Sequence, residues 1–269
     1  MTNFDIHRPA KQTELPFIVH VPHSSVNVPA RHRADFAVTD EELASELLTM
    51  TDRYTDDLAY ATTKLGGTAF VHGLSRLVMD PERFRDDASE PMALRGMGAI
   101  YVSRRDGLPL RRRDFSSEDR RRLIDELYDP YHQALEQLVN ERLDEHDCCL
   151  IVDLHSFPEL PLSYEDASLE RPHVCIGFDD VHVDAALRDR WSAQIRERGL
   201  EVAFNSPFAG SLVPSRFYQR DRRVRSLMIE IRRDLYMDET NGQKSAQFDA
   251  SRSLVATLLA IAAERAREL

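Results

Sequence analysis

The chain has 269 residues, 42% of them hydrophobic, with a formal net charge of -11 and a pI near 5.4. That length and apolar fraction suffice for one domain with a substantial core, and the acidity argues against a nucleic-acid partner, because phosphate binding needs a basic face. Cys148, Cys149 and Cys175 are odd in number and two are adjacent, which is no framework for a secreted disulfide protein. Met1 to Lys11 carries Asp5, His7 and Arg8 without an apolar core, and no apolar run is long enough to span a bilayer, so a cytoplasmic protein without a membrane partner is expected.

Phe17 to Val21 is short, apolar and β-branched and ends in Pro22-His23-Ser24-Ser25, which predicts a buried strand delivering His20 or His23 to a polar turn. Thr39 and Glu42 have capping-box spacing, and the helical period that follows runs to about Leu65, where Gly66-Gly67 stops it; Asp52 falls within or between these turns. Short strands are expected over Thr68 to Val71 and Arg76 to Met79, then a long ordered loop from Pro81 to Gly107. Arg111 to Arg113 and Arg120 to Arg122 lie among Asp114, Glu118 and Asp119 and read as a solvated mixed-charge surface without function.

Ser117 to about His146 predicts a helix kinked or split at Pro130. Beyond it, strands are expected over Cys149 to Leu154, His173 to Phe178, Glu201 to Phe204 and Ser226 to Ile231. Helices are expected around Val183 to Arg198 and Ser245 to Arg267, and a loop from Asn205 to Phe217. This alternation predicts a three-layer α/β fold with a mixed, largely parallel central sheet, in a single domain over residues 1 to 269.

Open α/β sheets bind ligands beyond the carboxyl ends of their strands, and His23 and His155 both fall at such ends. Neutral imidazole suits zinc, and a catalytic zinc commonly has three N/O ligands, so a carboxylate is needed beside them; Asp52, Asp56, Asp57 and Asp153 are candidates. Glu230 stands alone in the apolar strand Leu227-Met228-Ile229-Glu230-Ile231. Burying it is costly, so it is either paired with Arg232 or Arg233 or functional. Arg76 and Arg83 flank Asp80-Pro81, where they pair with nearby acids or else polarise a carbonyl or clasp a substrate carboxylate.

Taken in order, Pro22-His23-Ser24, Thr51-Asp52, Ser75 to Asp80 leading to Arg83, Pro130-Tyr131-His132, Asp153-Leu154-His155-Ser156, Asn205 to Gly210 and Met228 through Glu239 resemble the N-formylglutamate amidohydrolases. That family is similar in fold to zinc carboxypeptidases and the aspartoacylase group, a zinc-exopeptidase-like (phosphorylase/hydrolase-like) architecture. The resemblance implies that His23 and His155 bind Zn2+ with Asp52 as third ligand: the carboxypeptidase position three residues after the first histidine is Val26 here, and Thr51-Asp52 matches the hydrolase pattern instead. It implies Glu230 as general base, Arg76 as oxyanion stabiliser, and Arg83, with Arg216 as a second candidate, as the grip on a substrate carboxylate.

The implied substrate is a small N-acyl amino acid carrying a carboxylate, foremost N-formyl-L-glutamate, cleaved to formate and glutamate in histidine breakdown. A carboxypeptidase-like or other N-acyl-amino-acid hydrolase, and a non-catalytic ligand-binding homologue, are the other readings. Two departures touch substrate recognition. Glu82-Arg83 stands where the family has Asn-Arg, and Gly210 to Arg216 lacks the family's Gly-Gly, histidine and Thr-Arg.

Overall fold

The computed structural model describes residues 3–269. Seven strands form one sheet: β1 (Phe4–His7), β2 (Phe17–Val21), β3 (Thr68–His72), β4 (Cys149–Phe157), β5 (Val174–Gly177), β6 (Val202–Phe204) and β7 (Val224–Arg232), in the order β1-β3-β2-β4-β7-β5-β6. β2, β3, β4 and β7 run parallel, whereas β1 pairs antiparallel with β3 and β5 antiparallel with β7. The sheet is therefore mixed and largely parallel. Its central strands β2 and β4 are buried along their whole length, as apolar runs covered on both faces must be.

Side chains alternate between those faces. Phe17, Val19, Leu150, Val152, Leu227 and Ile229 point to one side, where the helix Ala185–Glu197 packs through Trp191 and Ile195 and the helix Phe248–Glu268 through Leu254, Val255 and Leu258. Ile18, Phe70, Cys149, Ile151 and Val224 point to the other, against Leu135, Leu138 and Val139 of the helix Asp129–His146. Along this second face the strands are apolar at their amino ends and polar at their carboxyl ends, where His20, Asp153, His155 and Glu230 follow in alternation. The core therefore stops where the polar cluster starts.

Thr39 caps the helix Asp40–Met50: the Glu42 amide donates to Thr39 Oγ1 at 3.2 Å and the Thr39 amide to Glu42 Oε2 at 2.9 Å. The helical period then breaks at Thr51, so Asp52 lies between this helix and the short helix Thr55–Leu58, with Tyr54 left-handed at φ 68°. The helix expected from Ser117 runs to Leu123, widens into one π-helical turn over Ile124–Tyr128, and resumes at Asp129 with Pro130 in its first turn. The wide turn lies just before the proline, whose missing amide cannot continue the regular helical ladder. Cys148, Cys149 and Cys175 are buried and unpaired.

Two expectations fail. Arg76 to Met79 is a turn closed by the Val78 and Met79 amides on the Ser75 carbonyl. Its carbonyls are taken by a side chain instead of a ladder, for Arg111 donates to Val78 O at 2.9 Å and to Leu77 O at 3.5 Å, and also to Tyr101 O at 2.7 Å. Arg111 is thus no solvated charge. It is 3% exposed and sits between the rings of Phe36 and Phe115. Among the described residues, no helix is long and apolar enough to cross a membrane.

Candidate active site

The carboxyl ends of β2, β4 and β7 open into a cavity of about 730 Å³. Parallel pairing sets His155 directly beside Glu230 and Asp153 beside both His20 and Met228, so three strands deliver their polar residues to one face. His23 arrives on the turn after β2, and the Asp52 amide donates to its carbonyl at 3.0 Å. That bond ties the segment after the Asp40–Met50 helix to the strand end and brings Asp52 inward.

Three donors converge. His23 Nδ1 and His155 Nδ1 are 3.2 Å apart, His155 Nδ1 and Asp52 Oδ2 3.2 Å, and His23 Nδ1 and Asp52 Oδ2 3.6 Å. Donors bonded to one tetrahedral zinc at about 2.0–2.1 Å stand roughly 3.3–3.4 Å apart, so the three atoms fit such an ion. Two further groupings offer three donor atoms within 4.8 Å of one another: His23, Glu82 and His155, and His20, Glu82 and Asp153. Glu82, however, meets His155 through Nε2, at 3.0 Å, the ring edge turned away from Asp52.

The outer edges of the rings are also held. His23 Nε2 is 2.8 Å from Asp80 Oδ1, and His155 Nε2 is 3.1 Å from Asp153 Oδ1. Such carboxylate contacts fix the tautomer and leave Nδ1 to face an ion. Asp80 is completely buried and also accepts from Arg76 at 2.7 Å and Tyr101 at 2.8 Å. Asp153 further accepts from the Leu212 amide at 3.0 Å and meets His20 Nδ1 at 2.8 Å, while His20 Nε2 lies 2.5 Å from the Tyr131 hydroxyl.

The local charge favours a cation. Burial alone would raise the Asp52 carboxyl, but its bonds from His155 and His23 and the Arg233 charge hold it well below the usual carboxylate range. Asp80 is likewise held down against burial by Arg76 and His23. Burial would lower His155, yet Glu82 and Asp153 push it well above the usual histidine value.

Glu230 differs from these acids. It is 7% exposed, and its Oε2 is buried without a hydrogen-bond partner among the described residues. Burial, with the neighbouring Asp52 and Glu82 charges adding to it, pushes its carboxyl up to about 8 despite His155 and Arg233. The ion-pair reading does not hold: Arg232 pairs with Asp234, and Arg233 reaches Asp52 Oδ1 at 2.8 Å. Arg233 also donates to Ser156 Oγ and to the Thr49 and Ser156 carbonyls, which makes it the clamp that orients Asp52.

Arg76 and Arg83 line the cavity; both lean on Asp80, Arg83 Nε at 3.7 Å. Arg216 does not line it. It is exposed and borders a separate groove beside Asn140 and Asp144, while Arg220, one turn on, borders both spaces. Asp80 and Arg233 are the positions that sequence reasoning underrated. Their only signal was charge next to the segments that carry His23 and Glu230, and nothing local shows which partner across the fold such a charge meets.

The family model for N-formylglutamate amidohydrolase matches residues 15–237. The chain is 26% identical to an N-formylglutamate deformylase of Pseudomonas aeruginosa over 257 residues, covering 93% of each chain. It is 25% identical to one of Pseudomonas putida over 237 residues, covering 85% of this chain and 84% of that one. The crystal structure of N-formylglutamate amidohydrolase from Ralstonia eutropha superposes with a TM-score of 0.87 at 25% identity, covering 100% of this chain and 99% of that one. A protein from Agrobacterium tumefaciens shares the fold at a TM-score of 0.67, 19% identity, and 96% and 95% coverage. With the model match running through β2, β4 and β7 and every residue of the converging cluster, the chain belongs to the N-formylglutamate amidohydrolase family, a family of amide hydrolases.

Proposed function

We propose that the chain is a metal-dependent hydrolase acting as one catalytic unit on the amide bond of a small N-acyl amino acid, with N-formyl-L-glutamate as the first substrate to test. The observation that carries this reading is the meeting of His23 Nδ1, Asp52 Oδ2 and His155 Nδ1 within 3.6 Å beside a buried, unpaired Glu230. His23, Asp52 and His155 would hold the ion. Imidazole and carboxylate suit Zn2+ among the common divalent metals. When bound, such an ion supplies Lewis acidity to the amide carbonyl and acidifies water.

The protein's own groups do the rest. Glu230, unpaired and in contact with the cavity, takes a proton from the attacking water and returns it to the departing amine nitrogen. Arg76, anchored by Asp80, faces the charge that develops on the carbonyl oxygen. Arg83 takes the substrate carboxylate, and Arg220 takes the part that sequence reasoning gave to Arg216. The product pair from N-formyl-L-glutamate is formate and glutamate, a reaction that would serve histidine breakdown in the cytoplasm.

The test is formate release from N-formyl-L-glutamate by purified protein, before and after chelation and with zinc added back. Chelator-sensitive release that Glu230→Gln abolishes is expected. Release that persists unchanged in that variant would remove Glu230 from the mechanism.

A further inference from the structure

The cavity is larger than a formylated amino acid requires. At about 730 Å³ it lies in the range of pockets that enclose drug-sized ligands, whereas formylation adds only a carbonyl carbon, its oxygen and a hydrogen. The surplus space has a location and a chemistry. Phe157 follows His155 by two residues in β4 and so emerges on the same face of the sheet. Its ring meets that of Phe208 edge-on, with centroids 5.4 Å apart.

Phe208 is fastened beside the general base. Its carbonyl accepts from Cys175 Sγ at 3.2 Å, and Cys175 pairs with Glu230 in the ladder between β5 and β7. Met228, two residues before Glu230, continues the same wall. Arg171 lies over both rings, at 5.0 and 5.7 Å, but its guanidinium is committed to the Pro158 carbonyl and to Glu165. The wall therefore presents the ring of Phe208, with the charge of Glu165 at its border neutralised by Arg171.

On the His23 side the neighbours are Arg76 and Arg83. An amide centred between the three converging donors and Glu230 thus has cationic groups on one hand and, on the other, an aromatic wall whose bordering acid, Glu165, is paired with Arg171. The carboxylate end belongs with the arginines. The acyl end then points at the half-buried ring of Phe208, backed by the buried ring of Phe157, where a formyl hydrogen leaves apolar surface uncovered and a ring would cover it.

Resting on the amide-hydrolase reading above, we propose that the Phe157–Phe208 wall is an acyl-group subsite. The enzyme hydrolyses N-aroyl amino acids of benzoyl size, with N-benzoyl-L-glutamate at least as good a substrate as N-formyl-L-glutamate. Water adds to the acyl carbon, the C–N bond breaks, and the amine nitrogen takes the proton, giving benzoate and glutamate.

The experiment compares kcat/KM of the zinc-supplemented full chain on N-formyl-L-glutamate, N-benzoyl-L-glutamate and N-formyl-L-phenylalanine. It repeats the comparison with Phe208→Ala and, should that variant not fold, Phe208→Leu. The expected result is a benzoyl-to-formyl ratio of one or more on glutamate, reduced about tenfold by Phe208→Ala, as the loss of pocket surface against one substrate implies. A ratio below one, or a ratio that neither variant alters, overturns the subsite. Faster turnover of N-formyl-L-phenylalanine than of both glutamates overturns its orientation, because the wall would then receive the leaving amino acid. Hydrolysis of none of the three by folded, metal-loaded protein overturns the amide-hydrolase reading itself, an outcome distinct from cleavage of the formyl substrate alone.

Discussion

Asp80 Oδ1 stands 2.8 Å from His23 Nε2, on the ring edge opposite the nitrogen that faces His155 and Asp52. One buried carboxylate thereby aims a proposed ligand while gathering Arg76, Tyr101 and the Glu82 amide around itself. Asp80→Asn keeps the shape and removes the charge. It is expected to weaken zinc affinity about 10- to 100-fold, the usual cost of losing such a partner, measured by competition with a chromogenic chelator. Unchanged affinity would leave Asp80 with a packing role only.

Glu230→Gln is expected to lower kcat about 100- to 10,000-fold, the range for a lost general acid–base group, with zinc content unchanged. Activity assays and metal analysis on the same preparation check both halves.

The same substitution gives a pH signature in metal-free protein. Burial raises the Glu230 carboxyl from its ordinary 4.5 up to about 8 in the fold, so the native state favours the protonated form. That contribution to stability is fully present below about pH 4.5 and is lost as the pH rises through about 8. Urea unfolding between pH 5 and 8 should show wild type losing stability relative to Glu230→Gln across the window. Parallel curves would mean that the carboxyl is not held neutral.

Arg233→Met removes the guanidinium that meets Asp52 Oδ1 and leaves that buried oxygen unpaired while Oδ2 still faces His155 and His23. Breaking such a pair from one side costs about 3–5 kcal/mol, and guanidinium unfolding of the metal-free variant measures it. A loss under 1 kcal/mol would show that Asp52 finds another partner.

Zinc at a hundredfold excess over its Kd should stabilise the fold by about 2.7 kcal/mol through mass action, seen as a rise in Tm that EDTA reverses. Asp52→Asn should abolish most of that rise. A full rise in the variant would turn attention to the Glu82 grouping.

The strands that build the site were legible because β2, β4 and β7 are apolar runs, and their ends announce His23, His155 and Glu230. β1 gave no such signal: Phe4–His7 is an edge strand with three exposed residues out of four, too polar to stand out. Arg76 to Met79 looked like a strand because its residues are buried, but buried backbone can be satisfied by a side chain such as Arg111 as well as by a ladder. Asp80 and Arg233 act through partners 57 and 181 residues away, a distance at which local pattern carries no information. The family resemblance supplied Asp52, which spacing had left level with Asp56, Asp57 and Asp153.

The pairing of His155 with Glu230 across β4 and β7 makes strand alignment a condition of chemistry. A slip of one residue would turn Ile229 or Ile231 toward the cavity and send the carboxylate into the layer under the helices Ala185–Glu197 and Phe248–Glu268. Such a chain could keep most of its secondary structure and hold a proposed ligand pair, yet it would have no base. Turnover regained after refolding therefore counts the molecules whose sheet has closed in the right alignment, which circular dichroism alone would not distinguish.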